Sequence, residues 1–322
     1  MSFISKFLSL FMGAALITGL TFTAKAEEQS GSAEIKAKGK DIKEEVAADD
    51  DVDELITNRK LRAETGSKSQ WSVSTSLNYS GGSIKRPGAR NRPNIRAAVN
   101  TVTLVSLSGS VAVKRRLAKK DSVSAGVGLR MLTPFHDKLG QAKADGVQRA
   151  DVYNPYISYT HLDKIGGLQS VTNVGVTGFT TSYSRRHGYV ANFAASQTLL
   201  KDIGTTGLSI GLYSGIDGSL FDKFDQASKA GSADYSIGFY PFVEYSINDT
   251  MNLRTISGVW VYDHLRSEPG RFTLSRHKIY QSVGLGISVT RDIYLYPNIQ
   301  FLPENIQVDL TNVALSASIN VF

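Results

Sequence analysis

Cysteine is absent from the 322 residues. Its absence excludes disulfides, thiolate zinc sites and a lipid-modified cysteine, so an exported chain of this size needs another source of stability. Tryptophan (2) and histidine (5) are scarce, which leaves few candidates for acid–base chemistry. Long apolar runs are missing as well. Only Phe7 to Phe22 is mostly apolar, and that is shorter than the roughly 20 residues a membrane-spanning helix requires. With Lys6 inside its start and Ala24-Lys25-Ala26 after it, this segment makes residues 1–26 a secretory signal peptide. Any later membrane crossing must therefore use strands. A hydrophobic content of 41% and a mean hydropathy of -0.14 are compatible with that, because a barrel shows only alternate residues to lipid.

Residues 27–68 differ in kind from the rest of the chain. They hold 12 acidic and 8 basic residues, a net of -4, and no aromatic. Such a composition buries too little apolar surface to fold alone. The expectation is an acidic periplasmic tether, disordered or with one short helix. Asp51 would cap that helix with Glu54 three positions on, Val52, Leu55, Ile56 and Arg59 would share a face, and Gly66 would end it. Two uses stay open: a solvated tether, or a helix that plugs the barrel or binds a partner.

From Ser69 onward the pattern changes to a period of two. In Trp71-Ser-Val-Ser-Thr-Ser-Leu-Asn-Tyr79, Trp71, Val73, Leu77 and Tyr79 fall on one face and the serines and Asn78 on the other. Twelve such segments are predicted, at about 69–81, 102–115, 122–132, 151–162, 168–182, 189–200, 207–217, 234–247, 251–262, 277–289, 292–301 and 307–322. The fourth places Tyr153, Pro155, Ile157 and Tyr159 outward. In the ninth, Leu253, Val259 and Val261 oppose Arg254, Trp260 and Tyr262. Links after even strands are short, such as Asn248-Asp-Thr250 and Arg291-Asp292, whereas those after odd strands are mostly long, such as 82–100 and 133–149. A closed membrane barrel alternates tight turns and long loops in this way. The fold class is therefore all-β, a transmembrane antiparallel up-and-down barrel over 69–322, with both termini periplasmic because the strand count is even.

In this architecture, in its strand-end aromatics Tyr153, Tyr235 and Tyr245, and in its final Phe322, the chain resembles Gram-negative outer-membrane β-barrel proteins of the porin or channel type. The resemblance implies outer-membrane lipid and lipopolysaccharide around the wall and the barrel-assembly machinery as a partner. Phe322 departs from the family pattern: Val321, Ile319, Ala317 and Leu315 form the apolar set, one step out of phase with it.

Serine, glycine and threonine dominate the inward faces, with Tyr156, Tyr213, Tyr240, Tyr280, Tyr294 and Tyr296 among them. Arg130, Glu244 and Arg254 are the expected lumen charges, either lining a narrow aqueous channel or pairing into a plug. Residues 69–322 carry 26 basic against 17 acidic side chains, a net of +9. Lys85, Arg86, Arg90, Arg92 and Arg96 crowd the first long loop, Arg185 and Arg186 the third, and Arg266, Arg271 and Arg276 the fifth. Guanidiniums bind phosphate bidentately, so these loops suit lipopolysaccharide or the steering of anions to a pore. No nucleic-acid module accompanies them.

No cofactor, metal site or catalytic residue is expected. None of His136, His161, His187, His264 and His277 stands in a His-x-Ser arrangement, and Asp49 to Asp51 with Asp53 and Glu54 read as a solvated run. Three functions are weighed. The first is a passive channel for small hydrophilic solutes, anions included. The second is a structural or adhesive barrel whose loops bind lipopolysaccharide or another surface, and the third, more remote, is a lipid-modifying enzyme.

Overall fold

A computed structural model describes residues 53, 55–95, 102–136, 150–225, 231–268, 270 and 272–321. The signal peptide, most of the tether, Arg96, Arg271 and Phe322 lie outside the described residues.

Among the described residues twelve strands follow the predicted periodicity. They are β1 (Trp71–Ser83), β2 (Ser106–Arg116), β3 (Asp121–Leu132), β4 (Ala150–Ile165), β5 (Leu168–Gly178) and β6 (Tyr189–Asp202). Then come β7 (Leu208–Phe221), β8 (Ala233–Ser246), β9 (Met251–Gly258 with Trp260–Leu265), β10 (Ser275–Arg276 with Tyr280–Thr290), β11 (Ile293–Phe301) and β12 (Asn312–Val321). Each pairs antiparallel with its chain neighbours, and β1 pairs with β12 from Val73↔Val321 to Ser83↔Asn312. The sheet therefore closes and leaves no edge, which is what lets strands cross lipid without an unpaired backbone group. The interior is polar on most strands because the period of two sends Ser72, Ser74 and Ser76 inward while Trp71 and Val73 stay outside.

Four sequence expectations change. The fifth strand ends at Gly178, and Ser182–Arg186 forms a short helix, α2, in the following loop. Strand β9 has a bulge: Phe242 pairs with Ile256, yet Phe239 pairs with Trp260, so one extra residue, Val259, sits between. One extra residue reverses every face beyond it. Trp260 and Tyr262 consequently face outward and Val261 inward, opposite to the uninterrupted alternation. A second bulge in β4, between the pairs Gly126↔Tyr156 and Gly128↔Tyr153, turns Tyr153 into the lumen with Arg130 over its ring at 5.3 Å. Finally, β12 starts at Asn312 rather than 307; the stretch before it is turn. Within β12 the apolar set Val321, Ile319, Ala317 and Leu315 shares the outward face, with Val321 and Leu315 exposed, and Asn320 is buried inside.

Candidate functional site in the barrel lumen

Two inserts enter the lumen, one at each end. At the short-turn end, residues 53 and 55–68 form a strap that carries a seven-residue helix, α1 (Arg59–Thr65). Its N-cap is Asn58, whose Oδ1 accepts from the Leu61 amide at 3.1 Å, and Gly66 at φ 98° closes it. The predicted cap at Asp51 lies outside the described residues; Asp53 and Leu55 are helical, and the predicted single helix is broken at Ile56 to Asn58, ahead of α1.

The strap crosses the mouth from one wall to the other. Asp53 meets Arg291 at the β10–β11 turn, 2.8 Å away. Thr57 donates to Asp202 at 2.9 Å on β6, and the Asn58 amide donates to Gln169 at 2.9 Å on β5. The chain then returns along β10 to β12, where Asn320 donates to the Ala63 carbonyl, and reaches β2, where Arg116 donates to the Ser67 carbonyl at 2.7 Å. Since β5 and β10 stand about half a circumference apart, the strap bridges the opening.

Apolar anchors hold it. Ile56 and Leu61 pack with Leu162, Val171, Leu200 and Phe242, inward residues at the short-turn ends of β4, β5, β6 and β8. Burying a side chain of this size contributes about 1.5–3 kcal/mol. Ala63 packs on Tyr294 and Tyr296 of β11. The acidic run is therefore not wholly solvated: Asp53 is an ion-pair partner of Arg291, with Arg62 and Lys68 each at 3.7 Å. Burial pulls the Asp53 carboxyl upward, but the hydrogen bonds and charge of Arg291, helped by Arg62 and Lys68, outweigh it and hold the carboxyl below its ordinary value.

Glu244 and Arg254 are cross-strand partners and form a buried ion pair. Glu244 Oε2 also accepts from Asn58 and Asn252, each at 2.8 Å, and Arg254 lies over the Phe242 ring at 4.4 Å. A buried carboxylate with three donors is satisfied, and here one donor comes from the strap. Arg130 does not join this pair. It sits near the long-loop end, 3.7 Å from Asp151, so the expected single barrier of Arg130, Glu244 and Arg254 is split between opposite ends of the barrel.

At the long-loop end, the first loop folds inward. A two-stranded hairpin (Asn91–Pro93 with Val102–Leu104) leads to Ile95, which is buried against Tyr280 and Leu302, with Tyr240 beside them. Arg92 donates to Gln300 of the inward face of β11 at 3.3 Å, so it is a lumen residue and not the external one expected. Lys85, Arg86, Arg90, Arg185 and Arg186 remain exposed at this end.

Between the inserts the lumen has two unlike walls. Tyr213 and Tyr240 are cross-strand partners with ring centroids 5.6 Å apart, and Tyr240 lies 6.5 Å from Tyr280. Across from them by strand order, β12 and β1 to β4 present Ser318, Ser74, Ser76, Ser110, Ser124 and Ser158. These line a cavity of about 190 Å³ together with Tyr156, Lys114 and the α1 residues Ala63 and Glu64. The inward turn of the first loop and the Ile95 contact were not legible in the sequence, because no periodicity marks a loop residue that turns inward. Among the described residues, His161 Nδ1 is 2.7 Å from Asp121, and His264 stacks on Tyr235 with Nε2 2.8 Å from the Gly270 carbonyl and Nδ1 3.5 Å from Asp234.

No protein-family model matches the chain, and no curated protein matches it. Among solved structures it is similar to the COG4313 outer membrane channel from Pseudomonas putida F1, with 12% identity and a TM-score of 0.51 over 80% of this chain and 97% of that one. The KdgM porin (9% identity, TM-score 0.41, 78% and 99% covered) and the NanC porin (11%, 0.42, 78% and 98%) align less closely. Closure into twelve antiparallel strands and the likeness to the Pseudomonas protein agree: the chain has an outer-membrane β-barrel fold of the kind that channels and porins use.

Proposed function

We propose that the protein is a passive channel for small hydrophilic solutes, entered at the long-loop mouth and narrowed at the other by the α1 strap. The observation that carries this reading is the unfilled, hydroxyl-lined space beside α1. A barrel that served only as a structural anchor would have no use for a polar cavity of about 190 Å³ inside it. Twelve strands enclose more room than the eight whose side chains fill a small barrel. The long-loop end faces outward and the strap end faces the periplasm, where an acidic tether preceding residue 53 would lie. Exposed Lys85, Arg86, Arg90, Arg185 and Arg186 raise the local concentration of anions at the entrance, and the same side chains suit lipopolysaccharide phosphates at the rim. No energy source, metal or catalytic step enters the reading.

A second reading, a structural barrel, has one observation in its favour: inserts narrow both ends. Planar-bilayer recording of the purified protein separates the two. Stepwise openings, with a reversal potential in a salt gradient on the anion-selective side, are expected. Silence from protein whose barrel is intact would leave the structural reading standing.

A further inference from the structure

We propose that Lys114 and Ser124 form a binding site for a small monocarboxylate in the cavity beside α1. The site rests on the channel reading for its way in from outside, while its geometry belongs to the barrel wall and the strap.

Lys114 is an inward residue of β2 and is 8% exposed. Its stem lies across Gly66, where a Cβ would stand 2.7 Å from its Cδ, so the strap fixes the direction of the side chain. The ammonium donates to the Glu64 carbonyl at 3.1 Å. Among the described residues that is its one hydrogen bond, and no carboxylate lies within ion-pair distance of it. An ammonium carries three donors, so two remain. A buried charge without a counter-ion is costly, and a partner taken from solution relieves that cost. The Glu64 carboxylate does not serve as that partner, because it pairs with Lys60 one helical turn back.

The neighbouring hydroxyls complete the site. Ser124 is the cross-strand partner of Lys114, is 5% exposed, and its hydroxyl has no hydrogen-bond partner among the described residues. Both side chains line the same cavity, with Ser76 and Ser110 further along its wall. Cross-strand neighbours have Cβ atoms about 5 Å apart, a span that the two oxygens of one carboxylate can bridge. Such an anion receives one bond from the ammonium and one from the hydroxyl, both charge-assisted. A halide offers a single centre to both donors. Lys114 is the one cation in the lining, and Glu64 borders the cavity as well. One positive charge near a carboxylate suits a single negative charge and disfavours a second. The space of about 190 Å³ has room for an acid the size of acetate or pyruvate.

The test is saturation-transfer NMR of acetate with the full-length protein in detergent, a measurement that needs no current. Transfer to acetate and none to methylammonium is expected, and formate should displace acetate at lower concentration than chloride or sulfate. Lys114→Gln removes the charge but keeps a donor for the Glu64 carbonyl. It should weaken acetate binding at least about tenfold, as the loss of a charge-assisted hydrogen bond requires. Ser124→Ala should weaken it about threefold to tenfold. Since Ser124 makes no hydrogen bond to the strap, that variant decides if Lys114→Gln also quickens amide exchange over 59–65. No transfer to acetate in the wild type, equal transfer to methylammonium, preferential displacement by sulfate, or undiminished binding in Ser124→Ala would overturn the site. Planar-bilayer recording in potassium acetate tests the route separately. Silence there removes the channel reading alone, and acetate bound in detergent through Lys114 and Ser124 still supports the site.

Discussion

Asp53 illustrates how one side chain ties a polar segment into a barrel. It bridges the strap to Arg291, and Arg291 also donates to the Gly66 carbonyl and to Asp292, so both ends of the strap meet at one guanidinium. The carboxyl is held below its ordinary value when docked and returns to that value when released. A depressed carboxyl contributes to docking fully above the undocked pKa, and the contribution is lost as pH falls through the docked value. Acidification below about pH 4 should therefore loosen the strap, by the ordinary carboxylate range. The expected outcome is conductance that is steady above about pH 4 and rises as pH falls below it, and an Asp53→Asn protein that shows the raised value already at pH 7. A flat pH profile in both proteins would count against Asp53 as the latch. Sequence alone presented Asp53 as one acid in a run; its partner lies 238 residues away, and no local pattern announces such a contact.

At the level of elements, α1 is too short to be stable by itself, since isolated helices under about 12 residues are marginal in water. Its stability is borrowed from Leu162, Val171, Leu200 and Phe242 and from the cap. Asn58 both caps the helix and donates to Glu244, so Asn58→Ala removes two interactions at once. A cap alone contributes about 0.5–2 kcal/mol. Amide exchange over 59–65 should quicken by about tenfold, the equivalent of 1.4 kcal/mol, while exchange in β1 to β12 stays unchanged. Equal exchange in the variant would mean that apolar packing alone seats the helix. The strands behave differently. β3 and β8 run where alternation placed them, because each residue's face depends only on its neighbours two positions away; β2 does so only from Ser106, since Val102–Leu104 of the predicted 102–115 strand belongs to the inward hairpin. β4 and β9 depart where a bulge inserts one residue, and nothing in Gly258-Val259-Trp260 distinguishes a bulged from an unbulged run.

Closure governs the protein as an assembly. Once β1 meets β12, every residue on an unbulged strand is committed either to lipid or to the lumen, and adjacent positions carry opposite demands. Ile157 is outward and 61% exposed on the barrel wall, whereas its neighbour Ser158 lines the cavity. Ile157→Arg places a charge in lipid near mid-depth and should cost about 2–4 kcal/mol, read as a lower urea midpoint in bilayers. Ser158→Arg should leave that midpoint nearly unchanged and reduce single-channel current by obstructing the cavity. The reverse ranking would mean that the faces of β4 are assigned wrongly.

The barrel class, the number of strands and the alternation of short turns and long loops were readable from the chain. Each follows from a period of two, which is a local property. The strap across one mouth, Ile95 within the other, the reversal of Trp260 and Tyr153, and the separation of Arg130 from Glu244 depended on the folded barrel. Those features are settled by which distant walls lie within reach after closure, and contacts between residues far apart in sequence leave no period to read.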